Sequence, residues 1–306
     1  MVHIWPIGGG KGGSGKSFIT CALGRLLAGS GKKTLLIDLD LGAANLHTLV
    51  GIPSPARSFS DFVRKRIPTL ADAVLETPIP NLFLISGAND TLDVANLPYE
   101  QKIKALRAIS KLDYDCILLD LGAGTSFNTL DFFLISQSGI FIVTPEPTSI
   151  ENVYRLIRSI YFRRIRQYYT VTDFKMLEEE AVRFFGEGAF NKPECMIKIV
   201  KKNYPEIGIK LENDFNTYRF KLILNQLRKQ DNTALGAQIC KLVEKHLGIK
   251  IDFAGNIAYD EHVHDAICQR VSFLDRYPHT RAACDLRELS KQIIHSGGEQ
   301  LLINYS

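Results

Sequence analysis

Through its first two thirds the chain alternates short apolar runs with stretches of helical apolar spacing. The runs at 4–7, 34–38, 82–86, 116–120, 139–144, 221–225 and 254–258 are rich in Ile, Leu and Val, the composition of strands covered on both faces. Between them, helical spacing recurs over 16–28, 99–111, 149–166, 233–247, 260–269 and about 279–294. This order predicts an α/β fold: a mostly parallel twisted sheet with helices on both faces. Gly29-Ser30-Gly31 ends the first predicted helix as a glycine C-cap does.

Two further helical patterns, at 173–186 and 193–204, sit in a stretch of unusual charge. From Arg155 to Lys229 there are 16 Lys and Arg against 9 Asp and Glu, an excess of +7 in a chain whose formal net charge is +4. We read 165–218 as a helical insertion between two sheet strands, within a single domain spanning 1–306.

Composition narrows the class. With 45% hydrophobic and 23% charged residues over 306 positions, the chain has the balance of a globular protein, not a disordered or fibrous one. No stretch approaches the roughly 18 uninterrupted apolar residues of a spanning helix. The start, Met-Val-His-Ile-Trp-Pro-Ile, lacks the basic n-region of a signal peptide. The six cysteines are scattered with no C-x-x-C spacing, which reads as reduced thiols of a cytoplasmic protein.

The strongest chemical signal is Gly10-Lys11-Gly12-Gly13-Ser14-Gly15-Lys16-Ser17, a full G-x-x-x-x-G-K-[ST] between a predicted strand and a predicted helix. Small residues let successive N–H groups converge on a polyphosphate, and the helix start adds its positive dipole end. The candidate phosphate-binding residues are therefore Gly12, Gly13, Ser14, Gly15, Lys16, Ser17 and Phe18. Lys16 neutralises the β and γ phosphates and Ser17 ligates Mg²⁺, which makes ATP and Mg²⁺ the expected cofactors. Carboxylates end two predicted strands, Asp38 with Asp40 and Asp120, and strand ends in such a sheet face the ligand crevice. Asp120 is the candidate to hold Mg²⁺ through water. Asp38 is a second metal candidate, and the sequence leaves open which of Asp38 and Asp40 faces the ligand.

Together Lys11-Gly-Gly-Ser-Gly-Lys16-Ser17, Asp38-Leu-Asp40-Leu-Gly-Ala-Ala-Asn45 and Asp120-Leu-Gly-Ala-Gly124 closely resemble the deviant Walker ATPases of the MinD/ParA group. Thr144-Pro-Glu-Pro-Thr-Ser149 resembles the MinD and flagellar-number (FlhG/FleN) branch most. The resemblance covers about 1–160 and 220–290. It implies a P-loop NTPase fold and slow, dimer-dependent ATP hydrolysis, in a homodimer formed with ATP. In that dimer Lys11 reaches the partner's nucleotide, Asp40 positions the attacking water and Asn45 serves the interface. Asn225 matches the asparagine that reads adenine. Ile257-Ala258-Tyr259-Asp260 replaces the family's Ile-Pro-x-Asp, and no extension of the flagellar-number type precedes the first strand.

The function expected is a switch in cellular positioning, flagellar number control or partition, working with a protein partner or activator. The alternatives are a cofactor-loading ATPase for iron–sulfur clusters or metals, for which no cysteines are suitably spaced, and a nucleotide-gated scaffold. Arg155, Arg158, Arg163, Arg164 and Arg166 lie beside aromatics on one helical pattern. They read either as a solvated face paired with the glutamates at 178–180 or as a contact with DNA or anionic membrane. The latter would place the cytoplasmic protein peripherally at membrane or nucleoid. The C-terminal stretch from Ile293 to Ile303 has no Lys or Arg after Lys291 and so is not expected to be a basic membrane anchor. His262 and His264 sit two apart on a predicted helix, a spacing that points them to different faces.

Overall fold

The computed structural model describes residues 2–41, 44–87 and 97–295. Among these residues eight strands form one sheet: β1 (His3–Gly8), β2 (Thr34–Leu39), β3 (Leu75–Glu76), β4 (Leu82–Ile85), β5 (Cys116–Leu121), β6 (Ile140–Val143), β7 (Lys221–Leu227) and β8 (Asp252–Ala258). Their order is β3-β4-β2-β5-β1-β6-β7-β8. All neighbours run parallel except the two-residue β3, which is antiparallel to β4. The helices are α1 (Lys16–Gly29), α2 (Leu46–Leu49), α3 (Phe59–Val63), α4 (Tyr99–Ile109), α5 (Phe127–Phe133), α6 (Pro147–Arg166), α7 (Val171–Phe185), α8 (Pro193–Asn203) and α9 (Pro205–Thr217). After β7 come α10 (Leu235–Leu247), α11 (His262–Cys268), α12 (Phe273–Arg276) and α13 (Arg281–His295).

Strand alternation splits the interior into two layers. On β5, Ile117, Leu119 and Leu121 face one side with α4, α5, α6 and α10. Cys116 and Leu118 face the other, against α1 and α13. This double coverage explains why the strands are nearly continuous apolar runs. The left-handed residue after α1 is Gly31, at φ 86°, beyond the C-cap Ser30.

Between β6 and β7 the chain forms α7, α8 and α9, which enclose a small core of their own from Phe174, Leu177, Met196, Ile199, Val200 and Leu211. Helix α9 is absent from the sequence reading. A side chain at Gly208 would stand 2.5 Å from the Cα of Lys201. The glycine is there for close contact between α8 and α9, against its helix propensity. Helix α5, reading as a plain apolar run, also goes unpredicted. Among the described residues no helix is long and apolar enough to cross a membrane, and the C-terminal stretch from 296 lies outside the described residues.

Candidate functional site

The crevice lies at the carboxyl ends of the parallel strands. Strand β1 runs into the glycine loop, and α1 begins at Lys16. Gly10 passes so close to α6 that a Cβ would fall 2.2 Å from the Asn152 carbonyl carbon. Gly15 has φ +88°, and a Cβ there would stand 2.3 Å from Nδ2 of Asn225. Both glycines are steric requirements. Gly12 and Gly13 have open space beside them. Ser14 Oγ is buried and has no hydrogen-bond partner among the described residues.

The loop is braced from β7. Asn225 Nδ2 donates to the Ser14 carbonyl at 2.8 Å, and Gln226 Nε2 donates to the Gly13 carbonyl at 3.0 Å. Gln226 reaches across because it adopts φ 60°, at an irregularity in the pairing of β7 with β8. The Asn225 side chain is therefore at the phosphate loop in this structure, holding the loop's backbone.

Lys16 is buried. Its Nζ turns back toward the Lys11 carbonyl, 3.5 Å away. Burial pushes its ammonium below the usual lysine range, opposed by the nearby charges of Asp120 and Asp40. Asp38 and Asp120 are register partners on β2 and β5. Burial raises Asp120 to about 6, while a hydrogen bond with Ser17 and the charge of Lys16 work to lower it. Thr20 Oγ1, bonded to the Lys16 carbonyl at 2.9 Å, lies 3.4 Å from Asp120 Oδ1. Asp38 is raised to about 7, chiefly by burial and then by the charge of Asp120. Its two oxygens accept from the backbone N–H groups of Asp40 at 3.2 Å and Leu46 at 3.0 Å.

This distinguishes the first two aspartates. Asp38 is fully buried and fastens the ends of the segment 40–46. Asp40 is half-buried just past β2, with its carboxylate against Gly122, where a Cβ would stand 3.1 Å from Oδ1. Asn45 precedes α2 as its N-cap residue. The Phe18 side chain turns away from the loop onto Phe273, with ring centroids 5.4 Å apart, so only its backbone belongs to the first turn of α1.

Buried carboxylates beside a serine hydroxyl are hard oxygen donors of the kind Mg²⁺ takes. The unpartnered Ser14 hydroxyl, the open glycine edge and the buried ammonium fit a polyphosphate. The residues present therefore suit a magnesium-bound nucleotide: Lys16 and the loop amides for phosphate, Ser17 and Asp120 for the metal.

The sequence matches the family model for the CobQ/CobB/MinD/ParA nucleotide binding domain over residues 6–273. The chain belongs to this family. It is thus a MinD/ParA-type P-loop ATPase, and the fold agrees. The cell division ATPase MinD of Pyrococcus furiosus superposes with a TM-score of 0.66 at 19% identity, covering 96% of this chain and 99% of that one. The MinD of Pyrococcus horikoshii, solved with Mg-ADP, gives 0.65 at 18% identity and 96% coverage of both. In sequence, the antiactivator FleN of Pseudomonas aeruginosa is 23% identical over 95% of this chain and 86% of its own length. The septum site-determining protein MinD of Escherichia coli K12 is 30% identical, over 51% of this chain and 58% of its own.

Within this MinD/ParA site three residues escaped the sequence reading. Gln226 and Thr20 had no motif to mark them. Glu146 did: it stands in Thr144-Pro-Glu-Pro-Thr-Ser149 just past β6, at the same end of the sheet as the glycine loop. Its Oε2 lies 2.5 Å from Lys11 Nζ. The two histidines have separate neighbours, His262 with Asp260 at 2.8 Å and His264 with the Cys268 sulfur at 3.5 Å.

Proposed function

We propose that the chain is an ATP-driven dimerisation switch. The observation that carries this reading is the gathering of Lys16, Ser17, Asp40 and Asp120 at one crevice, with Lys11 outside it on a half-exposed contact with Glu146. Lys16 already serves the phosphates, so Lys11 is available to a partner subunit's nucleotide. In this reading Asp40 positions the attacking water, Ser17 and Asp120 hold Mg²⁺ (Asp120 through water), Asn45 lies in the interface, and Asn225, whose Nδ2 is taken by the Ser14 carbonyl, has its Oδ1 left for adenine. Bound Mg²⁺ supplies charge neutralisation at the transferred phosphoryl group. Turnover is slow and set by dimerisation, well below the ~10 s⁻¹ typical of enzymes.

The cellular role proposed is restraint of a partner protein, in line with the antiactivator relative whose similarity extends over 95% of this chain. Positioning of the division site is the second reading, supported by MinD relatives that match about half of it. We place the protein in the cytoplasm as a single domain with α7, α8 and α9 added to the ATPase core. Peripheral contact with DNA or an anionic membrane through that basic region is the less favoured route. The structure pairs Arg163 with Asp131, Arg164 with Asp214 and Lys202 with Glu180, which leaves less free charge for a flat polyanion.

Light scattering tests the switch. An Asp40→Ala variant, blocked in turnover, should be monomeric with ADP and dimeric with Mg-ATP. A monomer under both conditions overturns the proposal.

A further inference from the structure

On the face of the sheet opposite α1, a groove of 1460 Å³ runs between the α3 region, α4, α6 and α9. It exceeds the roughly 300–1,000 Å³ of a small-molecule pocket. Seven cations and three carboxylates line it. Its floor is a buried ion cluster. Asp131 on α5 accepts from Lys102 on α4 at 2.5 Å and from both Nε and Nη2 of Arg163 on α6, at 2.6 and 2.9 Å. Among the described residues the cluster thus holds two positive charges for one negative, with Lys102 and Asp131 both nearly inaccessible. Of the two cations only Arg163 lines the groove, so the cluster's excess positive charge is presented inside the groove and not to a flat surface.

The rim adds charge that the fold does not use. Lys104 lies over the Phe62 ring at 4.7 Å and Lys210 over the Tyr168 ring at 5.4 Å. Neither has a carboxylate partner among the described residues. Apolar lining from Leu70, Ile103 and Leu112 alternates with these cations, and Tyr99 is 69% exposed at the edge.

We propose that this groove is the docking site for an acidic amphipathic segment of a partner protein. A protein segment is favoured over a phosphate polymer by the lining itself. Apolar side chains reward burial of other apolar side chains, and the rim carboxylates Glu100 and Asp214 repel a continuous polyanion but not a segment whose charges are spaced. The mode is a helix laid in a groove, with acidic positions over the cations and apolar positions on the floor.

The test is fluorescence anisotropy with the full-length protein and a fluorescein-labelled amphipathic peptide carrying Glu and Leu at helical spacing. The peptide should bind at low salt and weaken as salt rises. The double variant Lys104→Glu, Lys210→Glu should weaken binding by about tenfold or more, with nucleotide binding and thermal unfolding unchanged. The same peptide with Lys in place of Glu should not bind. Failure of the acidic peptide to bind at low salt, or unchanged binding by the double variant, overturns the proposal. A random-sequence DNA duplex and phosphatidylglycerol vesicles are the other two arms. If either binds as tightly as the peptide and is lost in the same variant, the groove is a general anion surface and the proposal fails.

Discussion

Lys11 Nζ lies 2.5 Å from Glu146 Oε2, so the first lysine of the phosphate loop is tied to the segment just past β6 of its own subunit. Both side chains are about half exposed, and pairs of this kind contribute roughly 0–1 kcal/mol. A contact that weak can hold a side chain at rest and still release it. Glu146→Gln should therefore favour the ATP dimer by no more than about fivefold in the dimer dissociation constant. Sedimentation with a non-hydrolysable ATP analogue measures it, and an unchanged constant would remove Glu146 from the switch.

The two loop lysines should separate cleanly. Lys16→Ala should abolish nucleotide binding, measured with a fluorescent ATP analogue, because it removes the buried ammonium proposed to neutralise the phosphates. Lys11→Ala should keep binding and lose both dimerisation and hydrolysis. Specific activity of the wild type should rise with protein concentration. A rate independent of concentration would mean that each subunit hydrolyses alone.

Gly15→Ala should disable the loop. The added methyl meets Asn225 Nδ2 and the backbone stands at φ +88°, a conformation costing a non-glycine residue about 1–3 kcal/mol. Expected is a loss of nucleotide affinity of tenfold or more, converted from about 1.4 kcal/mol, together with a lowered melting temperature. Gly12→Ala, with nothing near its Cβ, should leave the melting temperature unchanged.

Asp131→Ala should be among the most destabilising single changes. It leaves a buried Lys102 and a partly buried Arg163 without their carboxylate, and breaking such a cluster costs about 3–5 kcal/mol. Urea unfolding followed by circular dichroism would show it as a shifted midpoint with an unchanged slope. A loss under about 1 kcal/mol would mean that solvent reaches the cluster freely.

Asp61 gives the fold a dependence on acid pH. Burial works to raise this carboxyl, but hydrogen bonds from Ser58 and Arg66 outweigh it and hold the group below its ordinary value. Its Oδ2 accepts from the Ser58 backbone N–H at 3.0 Å and from the Ser58 hydroxyl at 2.9 Å, at the N-terminus of α3. Because the folded value is the lower one, this stability is present above the unfolded carboxylate range near pH 4 and is lost as pH falls through the folded value. Asp61→Asn should cost about 0.5–2 kcal/mol at pH 7 and shrink that difference at low pH. An equal cost at both pH values would assign the loss to packing instead.

Local chemistry is what the sequence by itself determined. The strands of the parallel sheet could be read because burial on both faces demands unbroken Ile, Leu and Val, and the phosphate loop because its spacing admits few other uses. Lys16, Ser17 and Asp120 follow from that spacing and from strand ends. Tertiary structure decided what depends on approach between distant segments. Nothing near Asn225 or Gln226 in the chain announces that their amides brace carbonyls about 210 residues earlier. Asp38 and Asp40 differ only through what surrounds them: backbone N–H groups of the following segment for one, Gly122 for the other. Helix α9 was hidden because Gly208, a poor helix former, is required by the nearness of α8. For the basic arginines the sequence offered pairing with the glutamates at 178–180 or contact with a polyanion; the fold does set Arg166 against Glu178, but only folding brought Asp131 to Arg163 and Asp214 to Arg164. Periodicity records which face of an element is buried, whereas partners across the fold are fixed by how the elements pack, which no local pattern encodes.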